Sequence, residues 1–525
     1  MTTSMISADN HSAPDSRSNF RFLLLLSLAI VLAGALLYGT NNRFHFRCHA
    51  DEPAKVRQIQ TETRNFHHPL LMLNSVQAAF AISGAKTNPQ NVVWVGRLSS
   101  ALFTTVAVMA LAWTAFLLSG RVGAVLCSAF LLCTPMLLEL SHYFKEDAAL
   151  IMGVALTFLA ITLYQRLASV PNLLLLAICA ALTASSKHIG AFVLPFCIYT
   201  VATANGSKPK RILLFLLVTL GVYALINYQV FLHPSGFFNG ISRESYYLKN
   251  GGSKVGGPRS GFFSFNKYMG VIRGNTPLVF LWFVGFGFHS WWKGRSERTS
   301  LGQILLFAGS TFLLLSLIPK ASGRYFLPVT ALLCLTAAIG AARIFAKTGW
   351  KWKVLGFAIP LTLALLAQGR WTYRVYQDFH HDTRTAMAEW ITKNLPANAV
   401  IAQEPTALLS SASDSASDNP NKIPQKLIDA GSICKPDFLN SLRHRGASYL
   451  ICELSERDIP KSSPKDTRAI EESVLKSIKA KCKPLWMADA TRPRITNVRP
   501  DLAVYQLPED SEAVLPDKAP GDANP

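Results

Sequence analysis

Between two apolar runs, 121–139 and 148–165, the chain reads Leu140-Ser-His-Tyr-Phe-Lys-Glu-Asp147. Runs of roughly 17–25 apolar residues are long enough to cross a bilayer as helices. The stretch between them is therefore a short turn at a membrane surface, with a lysine and two carboxylates at the mouth of a span. Ionisable groups at that depth are costly and tend to be paired or functional. The rest of the chain repeats the pattern. Half of its 525 residues are hydrophobic and only 16% are charged, against about a quarter charged in soluble proteins.

About eleven runs have spanning length, near 22–40, 95–118, 121–139, 148–165, 167–184, 188–204, 212–232, 276–292, 301–319, 325–345 and 353–369. The fifth, with Pro171 near its start, also fits a re-entrant segment. The first lacks a small-x-small cleavage site, so it reads as a span rather than a cleaved leader. Basic residues set the orientation. Arg17, Arg21, Arg121, Arg166, Lys208, Lys210, Arg211, Lys293, Arg295, Arg298, Arg343, Lys347, Lys351 and Lys353 all fall on one side if the N-terminus is cytoplasmic. The opposite side then receives 41–94, 140–147, 185–188, 233–275, 320–324 and everything after about 370.

The expected architecture is an α-helical polytopic membrane protein with a small external C-terminal α/β domain. Residues 1–19 are polar and expected to be disordered, 20–370 form the membrane base, 371–508 the external domain and 509–525 a loose acidic, Pro-rich tail. In the external domain, Asp382–Asn394 reads as a helix with Ala386, Trp390 and Ile391 on one face, ended by Pro396. Residues 399–404, 448–454 and 502–507 read as strands, 410–424 as a loop and 467–481 as a helix. No internal repeat and no P-loop occurs, which weakens an ATP-driven reading.

The formal net charge is +21. Part of it is cytoplasmic, but the external loop 233–275 carries Arg243, Lys249, Lys254, Arg259, Lys267 and Arg273 against Glu244 alone. That loop, flexible at Asn250-Gly251-Gly252, suits a lipid phosphate, an acidic glycan or bilayer headgroups; nucleic acid does not fit that side of a membrane. Tyr246-Tyr247 and Phe262-Phe263 read as interfacial belt residues or as contacts for a carrier lipid. Of nine cysteines, Cys127, Cys133, Cys179, Cys197 and Cys334 lie within spans. Cys48, Cys434, Cys452 and Cys482 face the outside, where one disulfide of unassigned pairing is allowed. No CxxC occurs.

The external loops gather reactive groups: Asp51, Glu52, Lys55, Arg57, His67 and His68 in the first; Lys145, Glu146 and Asp147 in the second; Lys187 and His188 in the third; Lys320, Arg324 and Tyr325 before the tenth span. A carboxylate beside an interfacial cavity can take a proton from an attacking hydroxyl or amine. Lysine and arginine can hold a phosphate leaving group. Sugar transfer from a lipid phosphate needs that set and no nucleotide or other cofactor. Blander readings exist for each: Asp147 as a helix cap, and Lys187, His188, Lys320 and Arg324 as interfacial anchors. His45, His49, Asp51, His67 and His68 allow a metal set, although nothing in the sequence requires one.

The stretches ADEPAKV (50–56), HHPLL (67–71), SHYFKEDAAL (141–150), SSKHIGAFVLPF (185–196) and GRYFLP (323–328), with DTRTAMAEWITKNLPANAVIAQE (382–404), resemble the GT-C glycosyltransferases. The resemblance, over about residues 20–405, is to the bacterial polyprenyl-phosphate-sugar-dependent branch related to protein O-mannosyltransferases and aminoarabinose transferases. It implies an inverting transfer at the outer face of a bacterial inner membrane, from a polyprenyl-phosphate sugar donor to a lipid, glycan or protein acceptor. By resemblance Asp51 is the base, with Glu52 as neighbour or substitute. Glu146 and Asp147 match the second acidic motif and His68 the histidine of an HP pair, while Lys187 and Arg324 fall where relatives place phosphate-binding cations. His188, Lys320, Tyr325 and Arg243 join them as candidate substrate-binding residues. Here the second motif is Lys-Glu-Asp where many relatives have Lys-Pro-Asp, a departure that leaves open a reading of Glu146 as an extra acid without a role. The rivals are a secondary transporter or flippase for a lipid-linked substrate and a non-catalytic assembly subunit. Transporters place polar groups at the midplane; here Asn227 and Gln229 are the one conspicuous polar pair inside a span.

Overall fold

The computed structural model describes residues 16–45, 47–204, 208–249, 264–275, 278–293, 298–318, 322–347, 357–405, 407–411, 421–431, 437–453, 465–488 and 500–508. The readings placed on 1–15, Asn250-Gly251-Gly252, Phe262-Phe263, Lys320, Cys434 and 509–525 lie outside the described residues. The chain forms two compact units, residues 1–42 with 49–377, and 43–48 with 378–525.

The first unit is a helical, multi-pass membrane base. Among the described residues six helices are long and apolar enough to cross a membrane: Arg17–Leu37, Pro89–Leu132, Glu146–Arg166, Lys208–Ile226, Thr299–Leu317 and Gly323–Ala346. The bent pair Phe265–Asn275 and Phe280–His289 makes a seventh if taken as one broken span, and shorter apolar helices cover Leu71–Ser83, Val170–Ser186 and His188–Thr203.

Breaks in the helices explain much of the difference from the sequence count. The expected spans 95–118 and 121–139 fall on the single stretch Pro89–Leu132, which is interrupted at Gly120 (φ 74°, ψ −165°). A straight helix of 44 residues would run about 66 Å, twice the hydrocarbon core. Glycine takes this backbone conformation without a Cβ clash. Pro135 opens a separate short helix, Pro135–Ser141, after the chain leaves helical geometry at Thr134. The expected run 212–232 divides at Asn227, between helices Lys208–Ile226 and Tyr228–Leu232. The first helix begins at Ser16, inside the stretch expected to be disordered.

Asn227 shows what one of these breaks does. Its side-chain carbonyl accepts the Leu70 N–H at 2.8 Å, and its amide donates to Ser185 Oγ at 2.8 Å. Asn74 Nδ2 donates to the Ile226 carbonyl and to Gln229 Oε1. The one conspicuous polar pair inside an expected span thus ties the first loop to two helix ends. Small residues set the spacing elsewhere. A Cβ added to Gly96 would lie 2.3 Å from Phe144 Cγ, and one added to Gly190 would lie 2.0 Å from the Thr183 carbonyl oxygen. Small residues that leave room for a neighbour in this way are how helices associate in a bilayer.

In the second unit, strands β1 (Val400–Gln403), β2 (Ser410–Ser411), β3 (Lys422–Ile423), β4 (Lys426–Asp429), β5 (Tyr449–Glu453), β6 (Lys483–Met487) and β7 (Leu502–Gln506) accompany helices Thr383–Asn394, Phe438–His444 and Lys465–Lys481. One five-stranded sheet runs in the order β4-β1-β5-β7-β6, with β1 parallel to β4 and β5, and β7 antiparallel to β5 and β6. The short β2–β3 pair lies within the stretch expected to be loop. Strand residues alternate between two cores. Ala402, Leu450, Cys452, Ala503 and Tyr505 pack with Leu442 and Ile478. Ile401, Ile451, Leu502 and Val504 pack with Met387 and Ile391. The buried face of helix Thr383–Asn394 is thus Thr383, Arg384, Met387, Ala388 and Ile391, with Trp390 partly buried against the same core, so of the expected face Ala386, Trp390 and Ile391 only Ala386 falls outside. Ala386 is exposed. Asp382 caps the helix, accepting the Arg384 N–H at 2.9 Å. Cys48, Cys452 and Cys482 are all buried.

Candidate active site

Asp51 lies immediately before helix Glu52–Gln60, where Glu52 and Pro53 form the first turn. Adjacent residues at a helix start point in different directions, and these two acids meet different surroundings. The Glu52 side chain is 0% exposed. Its two oxygens receive Arg97 Nε at 3.0 Å and Nη2 at 2.6 Å, and Oε1 also accepts the Phe144 N–H at 3.0 Å. Arg97 completes the joint by donating to the Asn42 carbonyl at 3.0 Å. This is a bidentate, charge-assisted fork, and it binds the first loop, the helix Pro89–Leu132 and the second turn together.

The Asp51 side chain, by contrast, is 45% exposed. The Lys145 ammonium donates to its Oδ2, and Arg324 Nη1 lies 3.6 Å from the same oxygen. Burial works against the charged form of Asp51, yet Lys145 and then Arg324 outweigh it and hold the carboxyl well below the usual range. Burial and the neighbouring Arg324 bring Lys145 down to about 8, against the pull of the nearby acids. His49 packs its ring 4.8 Å from that of Tyr143 and accepts the Asp51 N–H at Nδ1. Burial and Lys145 lower His49 to about 3, which keeps it neutral.

Two further ion pairs surround this centre. Glu146 pairs with Lys55, whose ammonium lies 5.3 Å from the Phe144 ring. Asp147 Oδ1 pairs with Lys187 Nζ at 2.7 Å, and Lys187 in turn sits 4.6 Å over the Tyr325 ring, beside which Arg324 lies at 5.7 Å. Asp147 Oδ2 and Arg324 Nε are buried without a hydrogen-bond partner. Glu146 and Asp147 occupy the first turn of Glu146–Arg166, where negative charge complements the helix N-terminus. The His68 and His188 rings stand 6.5 Å apart. Burial lowers His68 to about 4, with Glu146 opposing and Lys187 and Lys55 adding to it.

Four separate loops therefore meet at one face: Asp51 and Glu52 from the first, Lys145 to Asp147 from the second, Lys187 from the third, and Arg324 with Tyr325 from the turn before the helix Leu327–Lys347. His68 and His188 lie alongside. Arg243 is not brought in; it is exposed on helix Pro234–Lys249 and engages Tyr247, its Nε 3.3 Å from the phenol oxygen. Lys320 lies outside the described residues. Among the described residues no three His, Cys, Asp or Glu side chains converge as metal ligands. Sequence reasoning gave no role to Lys145 and Lys55, though both stand in the quoted loops, and it missed Arg97. The one available signal for Arg97 was a guanidinium inside a run otherwise apolar, where a buried charge demands a partner.

Residues 67–229 match the model of the family described as dolichyl-phosphate-mannose-protein mannosyltransferase. No curated protein matches the chain by sequence. Among solved structures, ArnT from Cupriavidus metallidurans bound to undecaprenyl phosphate is 14% identical with a TM-score of 0.51, covering 92% of this chain and 98% of its own. The archaeal oligosaccharyltransferase AglB from Archaeoglobus fulgidus, in complex with an inhibitory peptide and a dolichol-phosphate, is 11% identical with a TM-score of 0.52, covering 94% and 75%. The family model thus covers residues 67–229, and the likeness to both solved structures is one of fold.

Proposed function

We propose that the protein transfers a sugar, with inversion, from a polyprenyl-phosphate donor to an acceptor at the outer face of a bacterial inner membrane. The observation that carries this reading is Asp51, a half-exposed carboxylate set against Lys145 and Arg324 where four loops converge. In the reaction an acceptor hydroxyl or amine attacks the anomeric carbon, the carbon–oxygen bond to phosphate breaks, and the bonding pair leaves with the phosphate. Asp51 takes the acceptor proton as the new bond forms. Lys145, Arg324 and Lys187 offset the charge growing on the phosphate, which is why neither nucleotide nor metal is assigned a part. Glu52, with both oxygens engaged and no exposure, positions the loop rather than reacting. The orphaned Asp147 Oδ2 is suited to accept a hydrogen bond from a hydroxyl of the sugar or the acceptor. The relatives solved with undecaprenyl phosphate and dolichol-phosphate support a lipid-phosphate donor, and the peptide bound to AglB keeps a protein acceptor among the choices with lipid and glycan.

Mass analysis of lipids and cell-envelope glycans tests this in a deletion strain complemented with the parent or with Asp51→Asn. The parent restores a sugar modification; Asp51→Asn, expressed to the same level, lowers it by about 100-fold or more, the usual contribution of a positioned base. Full restoration by Asp51→Asn removes the proposed base.

A further inference from the structure

This inference rests on the transferase reading and concerns the order of events at its centre. A base has to be free to accept a proton, and Asp51 is not free in the structure. Lys145 donates to its Oδ2 and Arg324 stands 3.6 Å from the same atom. A carboxylate between two cations binds a proton poorly, and is a correspondingly weak general base.

Each of the other acids already has a close cation of its own. Glu52 has Arg97, Glu146 has Lys55 and Asp147 has Lys187 as close ion-pair partners. Lys145 and Arg324 are both directed at Asp51, two positive charges on one negative. Among these described groups the surplus is a single positive charge, equal and opposite to that of a phosphodiester. A phosphodiester also offers more acceptor oxygens than a carboxylate, and guanidinium and ammonium groups both bind it.

We propose that the donor phosphate and Asp51 compete for Lys145 and Arg324, so that loading the donor releases Asp51 to act as the base and the acceptor reacts only afterwards. Lys145 is in this scheme a positioning residue with two successive partners. It restrains the carboxylate in the empty site and grips the phosphate in the loaded one. The proton that Asp51 takes from the acceptor leaves to water once the products depart, and the ion pair re-forms.

A double-mutant cycle on the full-length protein in lipid nanodiscs tests this, with polyprenyl phosphate lacking a sugar as the probe and its dissociation constant as the readout. Removing the competitor by Asp51→Asn is expected to tighten binding about tenfold, the size of coupling found between groups that share a partner. In a Lys145→Gln background the same substitution is expected to change affinity less than about twofold, because most of the competition is already gone. Simple repulsion between carboxylate and phosphate tightens binding by the same factor in both backgrounds, and that result overturns the proposal. So does an Asp51→Asn protein that binds no more tightly than the parent. If Lys145→Gln does not fold to a monodisperse protein, the cycle is closed with Arg324→Gln under the same criterion. A parent protein that binds no polyprenyl phosphate sinks the donor reading itself, a failure distinct from either of the others.

Discussion

Asp51 and Glu52 share a chemistry and a place in the chain, and burial divides their roles. Glu52 is sealed on Arg97, whereas Asp51 keeps an open side on which an acceptor can approach. Breaking a buried pair by removing one partner is strongly destabilising, so the fork serves as an anchor. Lys145 makes the centre sensitive to alkali. Its ammonium is lowered to about 8, so the cation is present below that pH and lost above it. Affinity for polyprenyl phosphate is expected to fall as pH rises from 7 through 8 to 9.5, where the phosphate is already ionised. Lys145→Arg, charged throughout this range, is expected to flatten the profile. A profile equally steep in both proteins excludes Lys145 as the titrating group. The acids here were legible from the sequence because they interrupt apolar runs at loop positions. Which acid is exposed was not legible, since that depends on an arginine placed 45 residues away in sequence.

At the scale of elements, hydropathy locates most of the helices, and packing decides where they break. Gly120, Thr134 and Asn227 each end a helix inside an apolar run, and nothing in local composition announces the tertiary reason. Gly96 is a case that can be tested. Its missing side chain leaves room for Phe144, whose N–H reaches Glu52 and whose neighbour Lys145 reaches Asp51. Gly96→Ala forces the second turn outward at a cost of about 1–3 kcal/mol of overpacking. It is expected to lower the unfolding temperature and to weaken polyprenyl phosphate binding. Gly221→Ala, on helix Lys208–Ile226 with nothing within 4 Å of the added carbon, is expected to change neither. Equal behaviour of the two variants in both assays removes Gly96 from the support of the site.

At the scale of the whole molecule, the two units obey different solvents. The base exposes Leu24, Leu25, Leu28 and Leu32 along its first helix, as lipid allows and water does not. The second unit alternates apolar strand residues into two cores drawn entirely from 387–507. Residues 378–525 expressed alone are therefore expected to be soluble without detergent and to melt in one cooperative transition followed by circular dichroism. A product that needs detergent, or that melts without cooperativity, contradicts a self-sufficient core. The strands β1, β5 and β7 were readable from their apolar runs; β4, bounded by Lys426 and Asp429, and β6, which opens on Lys483-Pro484, were not, because an edge strand needs burial on fewer sides.

The ion pairs also impose a timetable on synthesis. Glu52 emerges from the ribosome 45 residues before Arg97, Asp51 94 residues before Lys145, and Asp147 40 residues before Lys187. At about 5–20 residues per second, Glu52 waits roughly 2–9 s and Asp51 roughly 5–19 s for a counter-charge. Over that interval the nascent first loop carries bare carboxylates, and water or lipid headgroups must solvate them until the later helices arrive. The centre thus comes together only in the order in which the chain is made, and an error in placing the helices that carry Arg97 or follow Lys145 would leave an acid of the first loop without its counter-charge.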